Sequence, residues 1–198
     1  MLTSTVYTGV GMAKPHHRKK REATATKSYC RTHDEMGHPQ SDLAAASFLR
    51  DLLGNDFFIS VPVIDQIKRR AQQKCSFVAS YRDRSLKVQT GYKAKWFHPD
   101  PYEYPDMQVP WRLEERETEA DVYIQVSWDF TAIMISNMAQ IMRNEIRMVK
   151  YTRESNTVNE PFYIVPLDQT HMFYKQGGMW WPANIDLNIG QMVMDLKL

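Results

Sequence analysis

The stretch Ser76-Phe77-Val78-Ala79-Ser80-Tyr81-Arg82-Asp83-Arg84-Ser85-Leu86-Lys87-Val88-Gln89-Thr90 decides the fold. Two short runs of apolar and β-favouring residues, Ser76 to Tyr81 and Ser85 to Thr90, flank the polar tetrad Arg82-Asp83-Arg84-Ser85, a pattern that predicts a β-hairpin. On its N-terminal side, Ser41 can cap a helix. Leu43, Ala46, Phe48, Leu49, Leu52 and Leu53 then recur at helical spacing until Gly54-Asn55, which predicts a helix over Asp42 to Leu53. Phe57, Phe58, Ile59, Val61 and Val63 form a β-rich run read as a buried strand. The polar, basic stretch Gln66 to Lys74 separates it from the hairpin.

Beyond the hairpin, Gly91 to Trp111 is rich in Pro, Tyr and Trp without periodicity, so it is expected to be an irregular segment draped over the domain. Val122, Ile124, Val126 and Trp128 alternate, predicting a half-exposed strand. Ile133, Met134, Met138, Ile141, Met142, Ile146 and Val149 recur at helical spacing and predict a second long helix over Thr131 to Tyr151. Phe162 to Leu167 reads as a further strand. The type of the terminal segment, with Gly177-Gly178 and Trp180-Trp181-Pro182, stays open. The expected class is therefore α/β (α+β), a central mixed β-sheet flanked by helices.

At 198 residues, 43% hydrophobic and 24% charged, the chain suits one globular domain of ordinary size. Residues 1–40 carry Gly, Pro, His and basic residues without apolar periodicity and read as a flexible arm, leaving 41–198 as the domain. Two cysteines, Cys30 and Cys75, are too few for a disulfide framework. That cysteine usage suits a reducing setting, so the chain is expected to be intracellular, cytoplasmic or phage/virus-associated, and since no apolar run reaches membrane-spanning length no membrane partner is expected.

The net charge of +2 argues for no partner, but its distribution does. Lys14, Arg18, Lys19, Lys20 and Arg21 crowd the arm, where they would neutralise phosphates of a nucleic acid. Arg143, Arg147, Lys150 and Arg153 fall three or four apart, so on the predicted second helix most share one face that would follow a nucleic-acid backbone. The bland alternative is a solvated helix end whose cations favour the macrodipole. The aromatic loop Tyr92 to Trp111 offers stacking, core cover or a contact for a protein partner. Cys30, His33 and His38 are three ligand types at close spacing, one short of a structural zinc set, so no metal is assigned there. Glu114, Glu115, Glu117, Glu119 and Asp121 read as a solvated acidic turn. No phosphate loop or nucleophile elbow is present.

The order of these pieces carries a resemblance. Asp42 to Leu53, then Ile59-Ser60-Val61-Pro62-Val63-Ile64-Asp65, Leu86-Lys87-Val88-Gln89-Thr90-Gly91, Glu119-Ala120-Asp121-Val122-Tyr123 and Tyr163-Ile164-Val165-Pro166-Leu167 together resemble the small PD-(D/E)XK nucleases of the group I intron homing endonuclease type and their uncharacterised relatives. In that family an Asp on the first hairpin strand, with an acid or Gln and a Lys two residues apart on the second, holds a divalent metal and polarises water. Residues i and i+2 on a strand share a face, which puts carboxylate and ammonium beside one phosphate. Here Lys87 stands where the acid or Gln belongs, Gln89 where the Lys belongs, and the Asp position falls near Cys75 or Ser76. The resemblance leaves three readings: a nuclease fold that binds DNA after losing catalysis, an endonuclease active with magnesium through Asp65, Gln89, Lys87 and Lys93, and an accidental likeness. A different class is a structural or assembly subunit that docks on a larger protein complex, which the 12 Met would suit.

Overall fold

The computed structural model describes residues 38–54, 58–60, 75–81, 84–93, 96, 98, 102–111, 118–153, 156–184 and 186–195. The arm cations, Cys30, His33, Asp65, the Gln66 to Lys74 stretch and most of the acidic run lie outside them. The first described element is the expected helix, α1 (His38–Leu53). It stops where the Gly54 N–H bonds the Arg50 carbonyl at 2.9 Å with Gly54 at φ 85°, a left-handed cap that a side chain would strain. Its inward face is Ala45, Ala46, Phe48 and Leu49, whereas Leu43, counted in the helical stripe, is 60% exposed.

Strands β1 (Phe58–Ser60), β2 (Phe77–Tyr81) and β3 (Arg84–Lys93) follow as antiparallel neighbours, with Phe77 opposite Val88 in the hairpin. The chain then crosses, through β4 (Asp106–Pro110) of a second sheet, to β5 (Val122–Ser127), which runs parallel to β3 with Thr90 opposite Ile124. Strand β6 (Ala132–Asn137) returns beside β5, and after a four-residue helix α2 (Met138–Ile141) come β7 (Ile146–Arg153) and β8 (Asn156–Pro166). A 3-10 turn leads to β9 (His171–Gln176), β10 (Met179–Pro182) and the helix α3 (Ile189–Asp195). The large sheet has seven strands in the order β1-β2-β3-β5-β6-β9-β10, and the small one three in the order β4-β8-β7. No described helix is long and apolar enough to cross a membrane.

Alternation along the strands makes two cores. Leu86, Val88, Ile124, Val126, Ile133, Ile135 and Phe173 face α1 and α3, where Phe48 lies 4.7 Å from the Phe173 ring and Met192 closes the edge. Tyr123, Ala132 and Met134 face the other way, onto Met107, Val109, Tyr163 and Val165 of the small sheet. The mixed α+β class holds, but a helix layer covers one face of the large sheet and a second sheet the other.

Three expectations need correcting. The predicted helix over Thr131 to Tyr151 is two strands and one short helical turn. Residues 132–136 are buried from both sides, so both alternating faces are apolar or small and no period of two shows. The apparent helical stripe joined residues of different elements, and the break is Asn137, whose side chain accepts the amides of Ala139 and Gln140. Strand β5 is buried at all six positions rather than half-exposed, because its second face, which carries Tyr123, Gln125 and Ser127, is covered as well. The segment 91–111 is not wholly irregular: it ends in β4, and its rings turn inward, with Trp96 2% exposed and Tyr102 and Trp111 packed on the second core. Those rings serve as core cover, and burial raises the Tyr102 hydroxyl well above its usual pKa.

A close approach ties β3 to β5. A Cβ at Gly91 would overlap the Tyr123 hydroxyl and sit 2.9 Å from its Cζ, so the buried tyrosine uses the space a side chain would take. Gly91→Ala is expected to destabilise the protein by about 1–3 kcal/mol, the range for overpacking. Tyr123→Phe in the Gly91→Ala background should recover part of that loss. Urea titrations of the two single variants and the double check the coupling.

Candidate functional site

The residues named from the sequence fall in two places, the outward face of β3 and the edge of the small sheet. On β3, Leu86, Val88 and Thr90 face the first core, so Lys87, Gln89, Gly91 and Lys93 share the opposite face. Sharing a face does not make them one constellation, because each holds a different partner. The Lys87 ammonium donates to Glu119 at 2.5 Å and the Lys87 amide to Asp121 Oδ2 at 2.8 Å. The hydrogen bond to Glu119 raises the Lys87 pKa, with both groups at the surface. Lys93, further along the strand, donates to Gln108 Oε1 of β4 at 3.0 Å and lies 3.9 Å above the Tyr104 ring.

Gln89 belongs to a third, inner group. Its amide donates to Ser76 Oγ and to the Thr90 carbonyl, both at 3.1 Å, and Ser76 Oγ also accepts the Thr90 amide at 3.1 Å. The Thr90 hydroxyl donates across to Asp42 Oδ1 of α1 at 2.5 Å. Asp42, Ser76 and Thr90 are buried, and their bonds lock the helix to the hairpin. The sequence reading, which treats Asp42 only as the start of the helix, misses this role. The available signal is a carboxylate on the side of α1 that also carries Ala45, Ala46 and Leu49, a position where burial demands a donor.

These residues do not fit the magnesium that the nuclease resemblance implies. Magnesium takes oxygen ligands, chiefly carboxylates, in near-octahedral order. The β2 residues Phe77 to Tyr81 contain no carboxylate, the Asp42 oxygen that reaches the group accepts from Thr90, and Gln89 directs its amide rather than its carbonyl toward Ser76. Among the described residues no three His, Cys, Asp or Glu side chains converge for a metal. Asp65 lies outside the described residues.

The second place is the edge of the small sheet. The expected helical stripe is instead a strand: Arg147, Lys150 and Arg153 lie on β7, and Arg143 sits in the turn before it. On a strand Arg147 and Lys150 project to opposite faces. Arg143, Arg147 and Lys150 are exposed, and Glu145 holds Arg147 through two hydrogen bonds of 3.0 and 2.8 Å that lower the Glu145 pKa. Strand β4 pairs only with Phe162 to Pro166 of β8, whereas β7 pairs with Asn156 to Tyr163. Residues 148–153 and 156–161 therefore form a two-stranded ribbon running past the third strand.

The outer side of β7 follows from two bonds. The Ile164 amide donates to the Glu145 carbonyl at 2.9 Å, so antiparallel alternation places bonded pairs at Arg147 with Phe162 and at Val149 with Glu160. The Pro161 carbonyl agrees, since it points the other way to accept from Trp111 at 3.1 Å. The backbone groups of Ile146, Met148 and Lys150 thus point away from β8, and Ile146 and Met148 are 46% and 59% exposed.

The inner group makes a test of its own. Thr90→Val keeps the shape but withdraws the donor from buried Asp42, and is expected to cost about 1–3 kcal/mol or more because the acceptor is a carboxylate. Gln89→Ala, which removes a half-buried amide, should cost less than Thr90→Val. Thermal melts of both variants at one pH rank them.

Neither a protein-family model, nor a curated protein, nor a solved structure matches this chain.

Proposed function

We propose that this chain binds nucleic acid on a PD-(D/E)XK-like core that no longer carries the catalytic set. The observation that carries the reading is the basic ribbon. Four cations, Arg143, Arg147, Lys150 and Arg153, lie on or beside one edge strand, and Glu145, which stands between the first two, is already engaged by Arg147. From Arg147 to Arg153 the strand rises about 20 Å at roughly 3.4 Å per residue. That length spans about six phosphates of one nucleic-acid strand at roughly 3.4 Å of axis each. A two-stranded ribbon is also narrow enough to enter a major groove.

The nuclease-like part of the reading is supported by element order: α1, the antiparallel β1-β2-β3 set, a crossover, and β5 parallel to β3. The loss of catalysis is supported by the separate engagements of Lys87, Gln89 and Lys93. The arm cations Lys14, Arg18, Lys19, Lys20 and Arg21 would add phosphate contacts of the same sequence-independent kind.

Binding to supercoiled and linear DNA, measured from low to physiological salt, is expected to weaken steeply with salt. Replacing Lys150 and Arg153 by Ala should flatten the log–log slope by about 0.9 for each lost duplex contact. Affinity indifferent to both salt and these substitutions would sink the reading. Cleavage that needs magnesium and disappears in Lys87→Ala, Gln89→Ala or Lys93→Ala would instead mean that an active endonuclease site assembles.

A second reading has its own observation. The outward backbone edge of β7 with exposed Ile146 and Met148 is suited to accept a strand from a protein in a larger assembly. Met148→Pro removes one outward amide; loss of a stoichiometric co-purifying protein, with DNA affinity absent from the start, would favour that reading.

A further inference from the structure

Each sheet ends in two edge strands, and an edge is a row of backbone N–H and C=O groups open to another strand unless something blunts it. Among the described strands, β1 and β10 border the large sheet, and β4 and β7 the small one. Strand β1 is blunted by its length of three residues. In β10 the Ala183 amide donates to the Met172 carbonyl at 2.8 Å, so alternation turns the backbone groups of Trp180 and Pro182 outward, and Pro182 has no N–H to offer. In β4 the bond from the Trp111 amide to the Pro161 carbonyl turns Asp106, Gln108 and Pro110 outward, again with a proline among them. Strand β7 is eight residues long without proline, and it turns outward both backbone groups of Ile146, Met148 and Lys150.

The side chains beside that edge say what it fits. Cross-strand neighbours share a face. Ile146 stands opposite Tyr163, which stands opposite Val109, and Met148 stands opposite Pro161. Val109 and Tyr163 belong to the second core, so an apolar row three strands wide ends in exposed Ile146, and Met148 follows it along the same face. Lys150 is the next residue of that face, exposed and without an ion pair among the described residues. Arg147, on the other face, is held by Glu145. Cations on an edge repel a basic strand and so select for the opposite charge. Phosphates only accept hydrogen bonds, so they match the outward amides and not the outward carbonyls, whereas a polypeptide strand matches both. A second copy of this chain would bring the same excess of cations, and a two-fold pairing centred on Arg147 or on Lys150 would set like charges face to face.

We propose that β7 accepts an extended acidic segment of a partner protein, added antiparallel, with a carboxylate opposite Lys150 and apolar residues opposite Met148 and Ile146. The segment therefore reads acid, any, apolar, any, apolar. The proposal rests on the second reading above, that this edge takes a strand, and it names that strand's chemistry. Antiparallel addition repeats both pairings of the small sheet and is the more stable per residue. Lys150 would serve the segment and a phosphate alike, so the segment and nucleic acid compete for the ribbon.

The test uses the full chain and capped, fluorescein-labelled peptides read by anisotropy, Thr-Glu-Thr-Val-Thr-Val-Thr and its counterpart with Lys in place of Glu. Wild type is expected to bind the Glu peptide about fivefold tighter, the upper range of one exposed ion pair, and Lys150→Ala should erase most of that difference. N-methylation of the Glu and Val residues, whose amides face β7 in this pairing, should abolish binding, and N-methylation of the inner Thr residues should spare it. Met148→Pro, which removes an outward amide and no ladder bond, should weaken both peptides. Saturating Glu peptide should lower duplex affinity; unchanged duplex affinity overturns the placement against Lys150. Equal affinity for the two peptides, with sensitivity to Met148→Pro, leaves the edge reading standing and overturns the acidic preference, and no binding of either peptide overturns both. Dimerisation of wild type in sedimentation velocity that Met148→Pro abolishes assigns the edge to a second copy and overturns the proposal. Salt-sensitive duplex binding without peptide binding defeats the proposal and spares the nucleic-acid reading; peptide binding by a chain that takes no duplex does the reverse. Should Met148→Pro melt early, the N-methylated peptides carry the same comparison on wild type.

Discussion

The parallel pairing of β3 with β5 governs the rest of the molecule. Two parallel neighbours cannot be joined by a tight turn, so the chain leaves the end of β3 at Lys93, travels the length of the sheet and re-enters at Val122. In many α/β proteins a helix makes that return. Here the return includes Trp96 and strand β4, which lie under the second face of the sheet and become the lid of a second core. With β4 there, β8 pairs with it and β7 with β8. The basic ribbon is thus an outgrowth of the crossover, positioned by hydrophobic burial rather than by its own charges.

Burial on both faces also explains the polar groups inside. Ser127 is buried at the end of β5, and its hydroxyl accepts the amides of Thr131 and Ala132 while donating to Asp129. Asp42 meets the same demand on the other face, where Thr90 supplies the donor. A buried polar group without a partner costs free energy comparable to a lost hydrogen bond, and the bonds to Ser127 Oγ and Asp42 Oδ1 remove that cost at these two positions. In the nuclease resemblance the corresponding hairpin face gathers charge for a metal. In this chain that face joins β3 to the segment 118–121 through Lys87, to Ser76 through Gln89 and to β4 through Lys93, so its polar groups hold structure together where the resemblance would have placed chemistry.

The two ends of the sheet system show different surface chemistry. The β7–β8 ribbon offers cations on a strand edge, and the β9–β10 corner offers rings.

What the sequence alone determined were the elements whose signals are local. Helix α1 was legible in its stripe and its Gly54 stop, and the β2–β3 hairpin in two β-rich runs about a polar turn, because cap, periodicity and turn chemistry lie within a few residues of one another. The shared face of Lys87 and Gln89 was legible for the same reason, since strand alternation needs no partner, whereas Lys93 joins it only because β3 runs on past Thr90. Tertiary structure alone decided the rest. Residues 132–136 lost their strand signature by being buried from two sides, and Met138, Ile141, Ile146 and Val149 mimicked a helix although they serve different elements. The cations of β7 were visible as a cluster, but whether they formed a helix face or a ribbon depended on β4 and β8, far away in the chain. The stack of His98 on Tyr174 joined residues from separate segments, and the bond from Thr90 to Asp42 spans 48 positions. Contacts of that range are set by sheet order and by which face each layer covers, and neither is written in local periodicity.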